Sequence, residues 1–336
     1  MLLIERFDPA ADAGRLRACH EIVAAGRHYD DPSMPPRSFA SFTAWWAHGY
    51  NSNPRQAWLA TDTTGEPVGC YLLILPEREN TARAMCFLVV GPESRRAGAG
   101  TALLRHCSRQ ARLARRSYLA SEAREDSAGA AFAAAAGATM GLAEVYRQLR
   151  VDAELLARIA GLRHEAQQHA RGYSLQSWLG ATPTEHLADV ARLSDAMADA
   201  PRDPGVQPEV WDADRIKALE LVNLGSGLQS YSVAARHDET GEMAALTQLS
   251  TDPGAPGWGF QELTAVLPEH RGHRLGLLVK VAMLELVTSR DRDLQRILTS
   301  NAGPNDHMIA INTRLGFEVS SVYRSWELDL TSADQA

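Results

Sequence analysis

Two stretches of this chain carry residues whose types and spacing suit the holding of an anion. One is the apolar run Phe87 to Val90, followed by Arg95-Arg96-Ala97-Gly98-Ala99-Gly100-Thr101. The other is Thr264 to Leu267, followed by Arg271-Gly272-His273-Arg274-Leu275-Gly276. Each reads as a strand, a glycine-containing turn and the start of an amphipathic helix. Such a turn aims backbone N–H groups outward at a helix N-terminus, where the helix dipole adds about 0.3–1 kcal/mol of attraction for an anion. Gly98 and Gly100 keep side chains out of the space that phosphate oxygens would fill. In the second turn Gly272 and Gly276 are small, while Arg274 either adds a charge-assisted contact or obstructs the approach. No Gly-Lys-Ser/Thr follows either turn, which excludes a Walker loop. Both turns come late in their surroundings, after several strands, which disfavours a dinucleotide-binding βαβ unit.

The elements that must position these turns are themselves repeated, at an offset of roughly 175 residues. Leu3 to Phe7 and Tyr173 to Trp178 read as alternating strands, each leading through a helix to an Asp-Pro, Asp31-Pro32 and Asp203-Pro204. Thr64-Gly65-Glu66 returns as Thr240-Gly241-Glu242 in a hairpin turn, and Ala136-Gly137 returns as Leu315-Gly316. Val145-Tyr146-Arg147 returns as Val322-Tyr323-Arg324 in a terminal strand. Each half therefore reads strand, one or two helices, a meander of three strands, helix, strand, helix, strand. That order implies an α/β fold, a mixed sheet flanked by helices, made twice. The expected domains are residues 1–158 and 159–336, with a polar, Ala-rich helical linker from about Asp152 to Arg171.

Composition agrees with two packed domains: 336 residues, 45% hydrophobic and 22% charged, are more than one core usually fills. A formal net charge of -7 with no basic stripe argues against nucleic acid as a partner. The basic residues are nearly all arginine, Lys217 and Lys280 being the only lysines. Cys19, Cys70, Cys86 and Cys107 form no CxxC pair and have no histidine at zinc-ligand spacing, so they read as reduced, buried thiols and no metal is expected. His237-Asp238-Glu239 falls in a hairpin turn and reads as a solvated loop. The N-terminus lacks the pattern of a signal peptide and no segment is apolar enough to span a bilayer, so the expected setting is cytoplasmic and away from membranes.

The two turns resemble motif A of the GCN5-related N-acetyltransferases, the GNAT family. Its pattern of Arg or Gln, two residues, Gly, one residue, then Gly or Ala is met by Arg95 to Gly100, while Arg271 to Gly276 departs from it at Arg274. The ending Leu315-Gly316-Phe317 is also typical of the family. The plan is similar to that of mycothiol synthase. The resemblance implies tandem GNAT-like domains that bind acetyl-CoA or another short acyl-CoA and transfer the acyl group to the amine of a small-molecule acceptor. It implies coenzyme contacts from Val90 and Arg95 to Thr101 in the first half. In the second it implies them from Val266, Leu267, Arg271 to Gly276, Asn301 and Asn305.

An alkylammonium with a pKa near about 10.4 must lose a proton before it attacks a thioester. In the family that base belongs on the strand before motif A, where the second half has Glu262 and the matching first-half run Arg83 to Val90 has no acid. Alternation along the strand puts Glu262 on the face of Thr264 and Val266. The amides of Val266 or Leu267 would meet the thioester oxygen. The tyrosine that often protonates the thiolate in this family is replaced by Asn312 and Ala133, which leaves Tyr323 as a substitute. The expectation is a catalytic second half and a coenzyme-binding or pseudo-catalytic first half, in a monomer or homodimer. The alternatives are a non-catalytic acyl-CoA-binding scaffold, or catalysis by the first half with a base from elsewhere.

Overall fold

The computed structural model describes residues 2–49, 53–302 and 305–331. The chain forms two compact units: Met1–Glu144 with Asp203–Gln207 and Ser321–Ala336, and Val145–Arg202 with Pro208–Ser320. Each is a mixed sheet flanked by helices, as the α/β reading requires.

The first unit begins with β1 (Leu3–Phe7), α1 (Ala13–Asp30) and α2 (Phe39–Ala47). Asp12 caps α1 by accepting from the Arg15 N–H at 3.0 Å, and Ser38 caps α2. The meander of β2 (Arg55–Thr61), β3 (Pro67–Ile74) and β4 (Arg83–Val90) pairs antiparallel throughout. β3 is buried on both faces, which explains its unbroken apolar run. Then come α3 (Ala99–Leu113), β5 (Tyr118–Arg124) parallel to β4, and α4 (Ala128–Ala135), capped by Ser127. One core, with Tyr71, Cys86, Leu103, Cys107 and Leu119, lies on the α3 face of the sheet; the other, with Leu16, Phe42, Trp46 and Leu72, lies under α1 and α2. All four cysteines are free and buried.

After β6 (Thr139–Arg150) the second unit repeats the plan. It runs α5 (Ala153–His169), β7 (Tyr173–Leu179), α6 (Leu187–Asp195), α7 (Ala213–Gly225), β8 (Gln229–His237), β9 (Met243–Thr251), β10 (Trp258–Val266), α8 (Leu275–Arg290), β11 (Arg296–Ala302), α9 (Asp306–Leu315) and β12 (Glu318–Asp329). Residues 152–171 are not a linker: Leu155, Ile159 and Ala166 of α5 lie in the same core as Leu278 and Val279 of α8 and Leu315 of α9.

The terminal strands are exchanged. β12 pairs antiparallel with β5 of the first unit, from Tyr323 opposite Arg124 to Asp329 opposite Tyr118. β6 neighbours β11 in the second unit, and just beyond it the Val151 N–H bonds to the Gln295 carbonyl at 2.8 Å. The compact units thus cut the chain differently from 1–158 and 159–336: each is completed by the last strand of the other half.

Candidate functional site

In the first unit the parallel pairing of β4 with β5 runs only from Arg83 opposite Tyr118 to Met85 opposite Ala120. Beyond it the two strands diverge, opening a wedge that leads to the turn before α3. The turn needs two left-handed positions, Arg96 (φ 63°) and Gly98 (φ 85°), and Gly98 is the N-cap of α3. The first intrahelical bond is Ala102 N–H to Gly98 O at 3.0 Å, so the amides of Ala99, Gly100 and Thr101 precede any intrahelical acceptor and face an incoming anion. A Cβ at Gly100 would touch only the Phe132 ring at 3.6 Å and Val90 at 3.8 Å, so the fold itself tolerates one there. A Cβ at Gly98 would meet nothing within 4 Å, so the turn is open at its N-cap.

The two arginines of this turn do different things. Arg95 donates to both Asp30 oxygens at 2.7 Å and to the Val90 carbonyl at 3.2 Å, which ties the end of α1 to the end of β4 and leaves the guanidinium no free edge for a phosphate. Arg96 is exposed and makes no side-chain bond among the described residues. The residues present therefore fit a diphosphate: a row of amides, an open glycine and one uncommitted cation.

On the sheet face opposite α3, the divergent end of β5 carries Glu122. Leu119 faces the α3 core, so alternation turns Tyr118, Ala120, Glu122 and Arg124 the other way. Their partners on β12, including Ser325 opposite Glu122 and Glu327 opposite Ala120, share that face. Met85 is 46% exposed there, which marks an apolar floor left uncovered. Glu122 is exposed on this face, with Glu144 close by. Desolvation of its carboxyl and the nearby Glu144 carboxylate push its pKa up. The rim is made by residues 203–207: Asp203 accepts from the Leu142 N–H and from Ser325 Oγ, and Arg83 joins Glu327 at 2.6 Å and the Gly205 carbonyl at 2.8 Å.

Tyr323 belongs to this unit and not to the one that holds Glu262. Its hydroxyl donates to Asp31 Oδ2 at 3.2 Å, and burial together with the Asp31 charge raises its pKa, so it keeps its proton.

In the second unit β10 and β11 diverge in the same way after Phe260 opposite Leu298. β10 also carries a bulge between Gln261 and Thr264, where the matching pairing of β3 with β4 is regular. The bulge changes where Glu262 points. Gln261 Nε2 and Thr264 Oγ1 both bond to Thr247 Oγ1, while Glu262 accepts from Ser250 Oγ at 2.7 Å, and Ser250 alternates with the α8-side residue Leu249. Glu262 therefore lies on the α6–α7 face, opposite Thr264 and Val266, because the extra residue breaks the period of two. Of the two amides expected to meet a thioester oxygen, that of Leu267 is already bonded to the Ala244 carbonyl at 3.0 Å.

The second turn mirrors the first. Its left-handed positions are Gly272 (φ 89°) and Arg274 (φ 53°), so glycine and arginine have traded places, and Arg274 is the N-cap of α8. Arg271 is paired with Asp199 at 2.9 Å, and the His273 ring lies 5.3 Å from that of Tyr173. Arg274 and Arg314 both bond to Glu165 of α5. Asn305 is the N-cap of α9, accepting from the Met308 N–H at 3.2 Å. Asn301 Oδ1 accepts from Asn312 Nδ2 at 3.0 Å and from Arg147 at 3.3 Å. Each asparagine thus has structural work inside the unit.

Sequence reasoning missed Glu122 because it sought an acid only on the strand before the turn. The alternation of Leu119 with Glu122 was the available signal. No group of three His, Cys, Asp or Glu residues suited to a metal ion occurs among the described residues, and no helix among them is long and apolar enough to cross a membrane.

A mixed sheet whose parallel central strands diverge toward a glycine-containing turn at a helix N-terminus, present twice, defines a tandem acetyltransferase-type fold. Residues 18–137 match the acetyltransferase (GNAT) family model. The chain is similar over 99% of its length, at 28% identity and a TM-score of 0.83, to the whole (100%) of a tandem GNAT protein from the clavulanic acid biosynthesis pathway, solved without acetyl-CoA. A GCN5-related N-acetyltransferase from Sphaerobacter thermophilus shares the fold, with a TM-score of 0.66 at 15% identity over 98% of this chain and 96% of that one. No curated protein matches the chain. The chain thus shares the fold of a tandem GNAT protein over nearly its whole length and matches the GNAT family model within its first half.

Proposed function

We propose that the protein is an acyl-CoA-dependent N-acyltransferase whose first unit passes a short acyl group, such as acetyl, to the amine of a small molecule. The observation that carries this reading is Glu122: a carboxylate with a raised pKa, just past the point where β4 and β5 part, on the open face of the wedge. Acyl-CoA supplies an activated acyl group as a thioester. The Ala99, Gly100 and Thr101 amides with Arg96 would hold its diphosphate, and the wedge would take the pantetheine arm toward Glu122.

The substrate amine enters as an ammonium, drawn by the acidic face. Glu122 accepts its proton, and a carboxylate with a raised pKa is the stronger base for that step. The nitrogen then bonds to the thioester carbon, the C–S bond breaks, and the proton the nitrogen sheds on becoming an amide passes to the departing thiolate. A thiol of pKa about 8.5 leaves readily as thiolate. Tyr323 keeps its proton but directs it at Asp31, so its role in this reading is to hold Asp31 under the end of α1.

A second reading keeps Glu262 as the base in the second unit, favoured by the bulge that turns its carboxylate to the α6–α7 face. Thiol release from acetyl-CoA with a panel of small amines separates them. On the first reading Glu122→Gln loses turnover by about 10²–10⁴-fold while Glu262→Gln stays near wild type, and the reverse pattern moves the chemistry to the second unit. Coenzyme binding without thiol release for any amine supports the non-catalytic scaffold instead.

A further inference from the structure

The two turns differ most in what stands at their mouths. In the first unit Gly98 holds the N-cap and Ala135 occupies the place that Arg314 takes in the repeat, so neither position brings a guanidinium to the mouth. In the second, Arg274 takes the left-handed conformation that side chains disfavour, and its guanidinium is bonded to Glu165. The other oxygen of the same carboxylate takes Arg314, near the end of α9.

One carboxylate between two guanidiniums at a helix N-terminus is the arrangement a phosphate group would adopt. Glu165 is not a loose surface side chain, because its helix is anchored on both sides of the mouth. Leu155, Ile159 and Ala166 are buried in the core shared with Leu275 and Leu278 of α8, and Arg158 bonds to the Leu315 carbonyl at 3.1 Å. A diphosphate approaching this turn would meet a fixed negative charge and find both cations taken.

We propose that Glu165 is a built-in occupant of the second anion cradle, closing it against the coenzyme diphosphate so that each chain takes up one coenzyme and not two. This rests on the reading of both turns as coenzyme-type sites, but not on which glutamate is the base. The closure is electrostatic and local, so neutralising one carboxylate opens it.

Titration calorimetry of the full chain with coenzyme A tests it. Wild type is expected to bind one equivalent, and Glu165→Gln and Glu165→Ala two. A Gly100→Trp substitution, which fills the first cradle, is expected to reduce binding to none in the Glu165 background and to one in the Glu165→Gln background. Two equivalents in wild type, or one in both Glu165 variants with the first site unchanged, overturns the closure. If wild type binds none and Glu165→Gln binds one, the closure stands and the assignment of coenzyme to the first unit falls. No binding by any variant overturns both.

Discussion

Asp30 and Arg95 face each other through two 2.7 Å hydrogen bonds, joining the last residue of α1 to the turn that leads into α3. The arginine that the family pattern suggests for phosphate is thereby a strut. Arg95 also reaches the Val90 carbonyl, so one side chain fixes the end of β4, the turn and α1. Arg95→Lys cannot reproduce the planar fork, and both it and Arg95→Ala are expected to lower stability by about 1–2 kcal/mol in urea unfolding. Coenzyme affinity should fall less for Arg95→Lys than for Arg96→Ala, which removes the uncommitted cation. A larger affinity loss at Arg95 would return it to the phosphate.

The raised pKa of Glu122 sets a pH signature. As a base it works only when ionised, so the acidic limb of kcat/KM should lie above the ordinary carboxylate value of about 4.3. Removing the like charge in Glu144→Gln should move that limb to lower pH. The sign for stability is opposite to that of a paired carboxylate. With the folded pKa above the unfolded one, the contribution is full below the unfolded value and is lost as pH rises through the folded value. Glu122→Gln should therefore be at least as stable as wild type at pH 8, measured by thermal melting, even as turnover falls.

Strand exchange makes a prediction about fragments. Residues 1–158 expressed alone lack β12, and β5 is left with an unpaired edge. Residues 159–336 lack β6 beside β11. Each fragment alone is expected to aggregate or to melt without a cooperative transition, while the co-expressed pair should co-purify and melt cooperatively. A soluble, cooperatively melting 1–158 would show that the exchange is dispensable.

Lys280 sits in the α8 core, where its repeat counterpart is Leu104, with its ammonium 5.4 Å from the Phe317 ring centroid. Burial alone lowers its pKa to about 7. The unfolded chain binds one more proton between that value and about 10.4, so this site makes stability rise with pH across that window. Lys280→Leu should stabilise the protein by about 4 kcal/mol near pH 7, with the gain shrinking toward pH 10 in denaturant titrations. A gain independent of pH would point to packing and not to charge.

Much of this was legible in the chain. The internal repeat, the α/β order and the place of both glycine-containing turns follow from local chemistry: apolar alternation marks strands, and glycine marks the turns. Those signals act over a few residues and survive without knowledge of the fold. The face of Glu262 was not legible, because a bulge is a mismatch between two strands and alternation in one strand cannot report it.

By itself the sequence determined that the chain is a doubled α/β unit resembling the GNAT family, with a glycine-containing turn before a helix in each half. Only the tertiary structure decided which side chains remain available at those turns. Arg95 is spent on Asp30 and Arg274 on Glu165, residues far from them in the chain, and Glu122 gains its raised pKa from desolvation and from Glu144 on another strand. Pattern and propensity are local, whereas exposure, pairing and pKa depend on which distant groups the fold brings within a few ångströms.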